Sequence, residues 1–183
     1  MNELLAVINW GIIGLEVFVF AFLIVKFWKL KFHLFFGGRD SLKTINDHEL
    51  HSCFLTALCV LTFHFIGAGL TEILLSLELE KMKLRQLFYC VQIATFASLA
   101  VILYLLHSIR HCTFSRAALN CMYIIVLIMT ANLIQLVARG YLDFNGLSPL
   151  YRVISVTGNL ITLVVVAKYP LSQVMSLRKS DEA

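Results

Sequence analysis

Apolar residues fill five long stretches of this chain, and short polar connections separate them. The stretches cover residues 4–27, 52–77, 86–108, 117–139 and 150–169. Each is long enough to cross about 30 Å of hydrocarbon as a helix. The pattern therefore predicts an all-α integral membrane protein with five transmembrane helices, and four spans are the alternative.

The first connection contains both a helix stop and a helix start. Gly37 and Gly38 are expected to end the first helix, and Asn46 with Glu49 predicts a capping box that begins the second. Residues 28–46 are predicted to form a cytoplasmic interfacial segment. Basic and aromatic side chains near its start suit contact with lipid headgroups or with a cytoplasmic protein partner, namely Lys26, Trp28, Lys29 and Lys31.

The last apolar stretch lies between two prolines. Ser148 followed by Pro149 predicts a cap and a first helical turn, whereas Tyr169 and Pro170 predict the end of the helix. The remaining residues, 171–183, would form a C-terminal tail. Short connections leave no room for a second folded unit, so we expect residues 1–183 to form a single polytopic membrane domain.

Composition supports the membrane class. Of the 183 residues, 60% are hydrophobic and 14% are charged, and the mean hydropathy is +0.84. These values lie far from those of a soluble domain. The net charge of +4 does not indicate nucleic-acid binding, because the basic residues cluster at the ends of the apolar stretches.

The distribution of basic residues predicts an orientation. If the N-terminus is outside, ten of the fifteen Lys and Arg residues fall on the inner side. Because cytoplasmic connections carry the excess of basic residues in membrane proteins, we expect the N-terminus outside and the C-terminus in the cytoplasm. The protein would then be a multi-pass component of a plasma membrane or a bacterial inner membrane.

Glu16 lies in the middle of the first predicted span, where a charge costs roughly 2.5 kcal/mol or more. Counting residues along antiparallel helices places His64, Asn132 and Asn159 near the same depth. This predicts an intramembrane polar layer. It could be a proton or ion path or a titratable switch, which we favour for Glu16 with His64. It could also be a cluster of interhelical hydrogen bonds that sets the register of the helices, which we favour for the two asparagines.

Two histidine pairs stand at the predicted inner ends of the second and third spans. His48 and His51 are three residues apart, and His107 and His111 are four apart, so each pair shares a helical face. Such imidazoles could hold a transition metal or a b-type haem. They could also be interfacial helix-end residues, which we favour, so we expect no cofactor.

No motif of an enzyme class is found in the sequence. A chain with several spans and short connections usually works through partners. We therefore predict a non-enzymatic multi-spanning subunit, of the sensor, scaffold or pore type, that acts within the lipid bilayer through self-association as a homo-oligomer and through cytoplasmic partners. The alternative is a single-haem or metal-dependent membrane redox protein. It would use His48, His51, His107 and His111, which we call the rim histidines.

Overall fold

The protein is a bundle of five helices, described here from a computed structural model. The structure describes the backbone of residues 2–36 and 42–181 and the side chains of residues 7–25 and 42–172. No strand occurs in these ranges. The helices are α1 (Asn2–Phe36), α2 (Ile45–Leu75), α3 (Lys81–Ile109), α4 (Arg116–Gln135), which continues as a π-helix (Leu136–Tyr141), and α5 (Ser148–Asp181).

All five helices contain a segment that is long and apolar enough to span a membrane. The predicted all-helical architecture with five such segments is therefore confirmed. The segments are Val7–Val25, Ile45–Leu75, Lys81–Ile109, Arg116–Tyr141 and Ser148–Ser172. Many large apolar side chains point outward, among them Phe18, Val25 and Tyr123. In water such a surface would favour association, whereas in a bilayer it contacts lipid.

The N-terminus of α2 lies earlier than the sequence predicted. Thr44 caps the helix, because its hydroxyl oxygen accepts a hydrogen bond from the Asp47 N–H at 3.2 Å. The Asp47 carboxylate accepts the Thr44 N–H in return at 3.1 Å. The capping box is therefore Thr44 with Asp47, and the prediction of Asn46 with Glu49 is wrong. Both pairs have the same spacing, so spacing alone could not separate them.

The boundaries of α5 also differ from the prediction. Ser148 is the first helical residue rather than the cap, and its hydroxyl has no hydrogen-bond partner among the described residues. The helix does not end at Tyr169 and Pro170, because it continues through Pro170 to Asp181. A proline removes one backbone donor from a helix but does not always end it, particularly in helices of membrane proteins.

Consecutive helices pack against each other, and α1 also contacts α5, which closes the bundle. One core cluster joins four helices through Leu23, Ala57, Cys121 and Val166. A second cluster joins α2, α3 and α4, and its buried members are Cys59, Leu99, Leu103 and Ile125. Since α2 and α4 contribute to both clusters, they lie at the centre of the bundle.

Candidate functional site

The Glu16 carboxylate and the His64 imidazole are in contact. His64 Nδ1 lies 3.0 Å from Glu16 Oε1 and 2.9 Å from Oε2. The Glu16 side chain is 3% exposed and the His64 side chain 15% exposed. One ring nitrogen therefore faces both carboxylate oxygens, between segments of α1 and α2 that are long and apolar enough to span a membrane.

Apolar side chains lie on both sides of Glu16 along α1. Phe20 of α1 stacks on Phe54 of α2 with ring centroids 5.6 Å apart. Ile12 and Ile13, close to Glu16 on α1, are buried. Electrostatic interactions are stronger in such apolar surroundings than in water, and an unpaired charge there is costly.

The pair can hold one proton in two ways, because the proton can reside on the imidazole or on the carboxylate. In both arrangements the pair has no net charge. Gaining a second proton leaves one positive charge, and losing the only proton leaves one negative charge. Either change puts a net charge into apolar surroundings, which is costly.

Asn132 does not join this pair. Its amide N–H donates to the Ile128 carbonyl at 2.9 Å, and its Oδ1 accepts a hydrogen bond from the Tyr151 hydroxyl at 2.9 Å. Asn132 therefore links α4 to α5. Asn159 is half-buried on α5, and no hydrogen bond of the described residues connects it to Glu16 or His64. The structure thus brings together two of the four residues of the predicted layer.

His107, in the last turn of α3, is enclosed on several sides. Its Nδ1–H donates to the Leu103 carbonyl at 2.8 Å, so Nε2 is the atom that accepts the Ser52 hydroxyl, also at 2.8 Å. Phe114 stacks on the ring with centroids 4.2 Å apart and planes within 7°. A metal or haem iron could bind His107 only after one of these contacts is broken.

His51 and His48 of α2 contact residues that follow the end of α3. His51 is buried and its Nε2 accepts a hydrogen bond from Arg110 Nε at 3.0 Å. His48 Nδ1 accepts the Thr113 N–H at 3.3 Å. His111 is exposed and has a left-handed backbone conformation, with φ of 48°.

These contacts do not assemble a metal-binding group. In the part of the chain that the structure describes, no three His, Cys, Asp or Glu side chains are placed to hold a metal ion together. A protein metal site needs three or four ligands. The Cys112 thiol, beside His48, donates to the His48 carbonyl at 3.3 Å, and burial raises the pKa of this thiol to about 11. Cys112 is therefore protonated at neutral pH and a poor ligand or nucleophile.

The sequence did not predict Ser52 and Ser115, which connect His107 to the start of α4. Their hydroxyl oxygens lie 2.9 Å apart, and Ser52 Oγ also accepts the Ser115 N–H at 2.9 Å. Neither residue belongs to a motif, so no signal marked them. The predicted headgroup-contact residues Lys26, Trp28, Lys29 and Lys31 lie outside the residues whose side chains the structure describes.

A polar network at the opposite end of the bundle was also not predicted. Arg85 at the start of α3 pairs with Asp143, and its guanidinium also donates to the Arg139 carbonyl at 3.4 Å. Arg139 in turn donates to the Tyr89 hydroxyl at 3.1 Å. The hydrogen bond from Arg85 holds the pKa of Asp143 below its ordinary value. This network fastens the connection between α4 and α5 to α3.

Comparison with family models, with curated proteins and with solved structures finds no match to this chain. Its class therefore rests on its own features. They define an all-helical protein with five helices that are long and apolar enough to span a membrane, which is compatible with a multi-pass membrane protein.

Proposed function

We propose that the protein is a non-enzymatic multi-spanning membrane subunit that associates with copies of itself and with cytoplasmic partners, and that the Glu16–His64 pair is its sensing element. The observation that supports the proposal is the contact of one imidazole nitrogen with both carboxylate oxygens, the closer at 2.9 Å, between two neighbouring helices. Protonation of this pair changes how firmly α1 is held on α2.

A purely structural contact would not need a carboxylate. A charge at mid-span costs about 2.5 kcal/mol or more on insertion scales, whereas a neutral amide can make an interhelical hydrogen bond at a lower cost of burial. The protein uses such an amide elsewhere, since Asn132 receives the Tyr151 hydroxyl between α4 and α5. A titratable pair at Glu16 and His64 therefore favours a responsive role.

A sensor fits the geometry better than a pore. A proton or ion path needs polar groups in sequence across the membrane. Asn132, a member of the predicted polar layer, instead forms hydrogen bonds with the Ile128 carbonyl and the Tyr151 hydroxyl. The pair joins α1 and α2, so its protonation can shift the balance between a docked and an undocked α1. Such a shift between two states is how a sensor works.

The test measures how the docking of α1 and the oligomeric state depend on pH. Spin labels are placed at the exposed positions Phe18 and Ile66, and the protein is studied in lipid nanodiscs. We expect the distance between the labels, or the number of copies per particle, to change with pH over the range in which the protein stays folded.

Two variants identify the responsible group. Glu16→Gln retains the shape of the side chain and removes its charge, so it should abolish the pH response. Glu72→Gln removes an exposed carboxylate from α2 and should respond like the parent protein. A parent protein with constant label distance and copy number over this range, or an unchanged response in Glu16→Gln, would show that the pair is only structural.

A further inference from the structure

Two histidines near the start of α2 hold the connection between α3 and α4, residues 110–115. His51 Nε2 lies 3.0 Å from Arg110 Nε, and His48 Nδ1 lies 3.3 Å from the backbone nitrogen of Thr113. The first contact is partly buried and the second is exposed, so neither is sealed inside the bundle. We call these two contacts the latch.

The donors of the latch fix the protonation of both rings. A guanidinium and a backbone amide can only donate hydrogen bonds. His51 Nε2 and His48 Nδ1 must therefore be the nitrogens that carry a lone pair, so the ring proton is on Nδ1 of His51 and on Nε2 of His48. Both imidazoles are consequently neutral, and they are opposite tautomers.

A second proton on either ring breaks its contact. Both nitrogens of an imidazolium are donors, so the charged ring cannot accept the hydrogen bond that the neutral ring accepts. Protonated His51 would also place a positive charge beside the Arg110 guanidinium, and like charges repel. Because the accepting nitrogen gains a proton only when the contact is broken, acid favours the open connection.

Other titratable side chains share this end of the bundle, and the carboxylates among them also gain protons in acid. Of the described side chains of α1, only Glu16 titrates, and its partner His64 lies thirteen residues beyond His51 on α2. This separation is about 20 Å along the helix. The groups closer to the latch are Asp47 and Glu49 on α2, His107 on α3, Arg116 on α4, Tyr169 on α5, and His111 and Cys112 in the connection.

We propose that the latch is an acid-sensitive switch, in which protonation of His48 and His51 releases Thr113 and Arg110 from α2 and opens the connection between α3 and α4. The opening is local, because the Ser115 N–H stays bound to the Ser52 hydroxyl oxygen and keeps the start of α4 in place. The switch changes the surface that this end of the bundle presents. It is independent of the proposed sensing pair.

The tautomers are tested on the parent protein, so no variant needs to fold. The histidines are labelled with ¹⁵N, and their ring nitrogen shifts are recorded by NMR in detergent micelles at about pH 7.5. We expect the proton on Nδ1 of His51 and on Nε2 of His48. A His51 ring with its proton on Nε2, or a charged His51 ring at this pH, would overturn the proposal.

Hydrogen exchange then measures the opening. The Thr113 N–H donates to His48, so its protection reports the latch directly. Between about pH 7.5 and about pH 5, a range that brackets the titration of a solvated imidazole, this protection should fall about tenfold or more after correction for the intrinsic rate. The Ser115 N–H should stay protected. Equal protection of Thr113 at both pH values would contradict the switch.

Matched variants assign the response to the two rings. His48→Gln combined with His51→Gln supplies amide oxygens that accept hydrogen bonds but do not titrate, so it should remove the pH dependence at Thr113. His111→Asn changes an exposed histidine of the same connection, and Asn tolerates its left-handed backbone. Glu49→Gln removes a nearby carboxylate. Both controls should respond like the parent protein, and a response that persists in the double variant would show that other groups cause it.

Discussion

Ser52 satisfies buried polar groups from two other parts of the bundle. On α2, it donates its hydroxyl hydrogen to His107 of α3 at 2.8 Å and accepts the backbone N–H of Ser115, the residue before α4, at 2.9 Å. All three residues are buried. Such a satisfied network holds helices in register, and its removal leaves several groups without partners.

Replacement of Ser52 by alanine is therefore expected to destabilise the protein. Ser52→Ala leaves His107 Nε2 and the Ser115 N–H without their partner, at a cost of about 1–3 kcal/mol. The free energy of unfolding, measured by denaturant titration in detergent micelles, should fall accordingly. Ser98→Ala, at an exposed position of α3, is the control and should change it little. Equal effects in the two variants would show that the network contributes nothing specific.

Asp143 makes the opposite end of the bundle sensitive to acid. Because the hydrogen bond from Arg85 lowers the pKa of Asp143 below its ordinary value of 3.8, the folded protein favours the ionised carboxylate. Its contribution to stability is present above pH 3.8 and is lost as the pH falls through the lowered pKa.

Hydrogen exchange in the connection between α4 and α5 should report this loss. Exchange of residues 142–147 is expected to accelerate below pH 3.8, after correction for the intrinsic rate. Asp143→Asn should remove this pH dependence. Glu80→Gln, which alters an exposed pair with Lys83, should retain it. Identical pH profiles for the parent and Asp143→Asn would contradict the assignment.

The sequence predicted some contacts between residues and not others. Counting residues along two antiparallel spans was enough to match Glu16 with His64, because depth follows from helical rise. The same count placed Asn132 in the layer, although it contacts Tyr151. Depth does not specify which face a residue occupies, and the contacts of Ser52 and Arg85 depend on that face.

At the scale of helices, close approach depends on single glycines. Gly158 and Thr162 are small residues four positions apart on α5. A Cβ atom at Gly158 would lie 2.8 Å from Ile128 Cδ1 and 3.0 Å from its Cγ1, so α4 and α5 approach each other closely there. Gly14 on α1 has no neighbouring heavy atom within 4 Å of such a position.

The two glycines should consequently respond differently to alanine. Gly158→Ala forces Ile128 to move, and overpacking of this kind costs about 1–3 kcal/mol. Gly14→Ala adds a methyl group in open space and gains helix propensity, so it should be neutral or stabilising. Thermal unfolding of both variants in the same detergent checks this. A smaller loss in Gly158→Ala than in Gly14→Ala would be inconsistent with close packing of α4 and α5.

Helix existence was easier to predict than helix boundaries. Long apolar segments have few alternatives in a membrane, since every backbone group must be satisfied within the segment. The ends depend on local competition, as Thr44 and Pro170 illustrate. The π-helical turn after Gln135 was not predicted. Within it, the Gly140 carbonyl accepts a hydrogen bond from Gln86 Nε2 of α3 at 2.7 Å.

At the scale of the whole molecule, sequence predicted the number of spanning segments but not their arrangement. Apolar residues surround each helix on most sides, so hydropathy does not show which face meets a neighbour. The contact of α1 with α5, which closes the bundle, therefore required the structure. Orientation is a different property, because it depends on charges in the connections rather than on packing.

The orientation prediction can be tested with reporter fusions. Fusions after residues 40, 82, 112 and 145 should lie alternately inside, outside, inside and outside, since ten of the fifteen basic residues then face the cytoplasm. Two consecutive fusions on the same side would contradict five spans. The cause is tested by Glu78→Lys with Glu80→Lys, which adds positive charge to the connection between α2 and α3 and should produce a mixed orientation. The pair Glu78→Gln with Glu80→Gln removes the same negative charges, and because acidic residues contribute little to orientation, it should leave the topology unchanged.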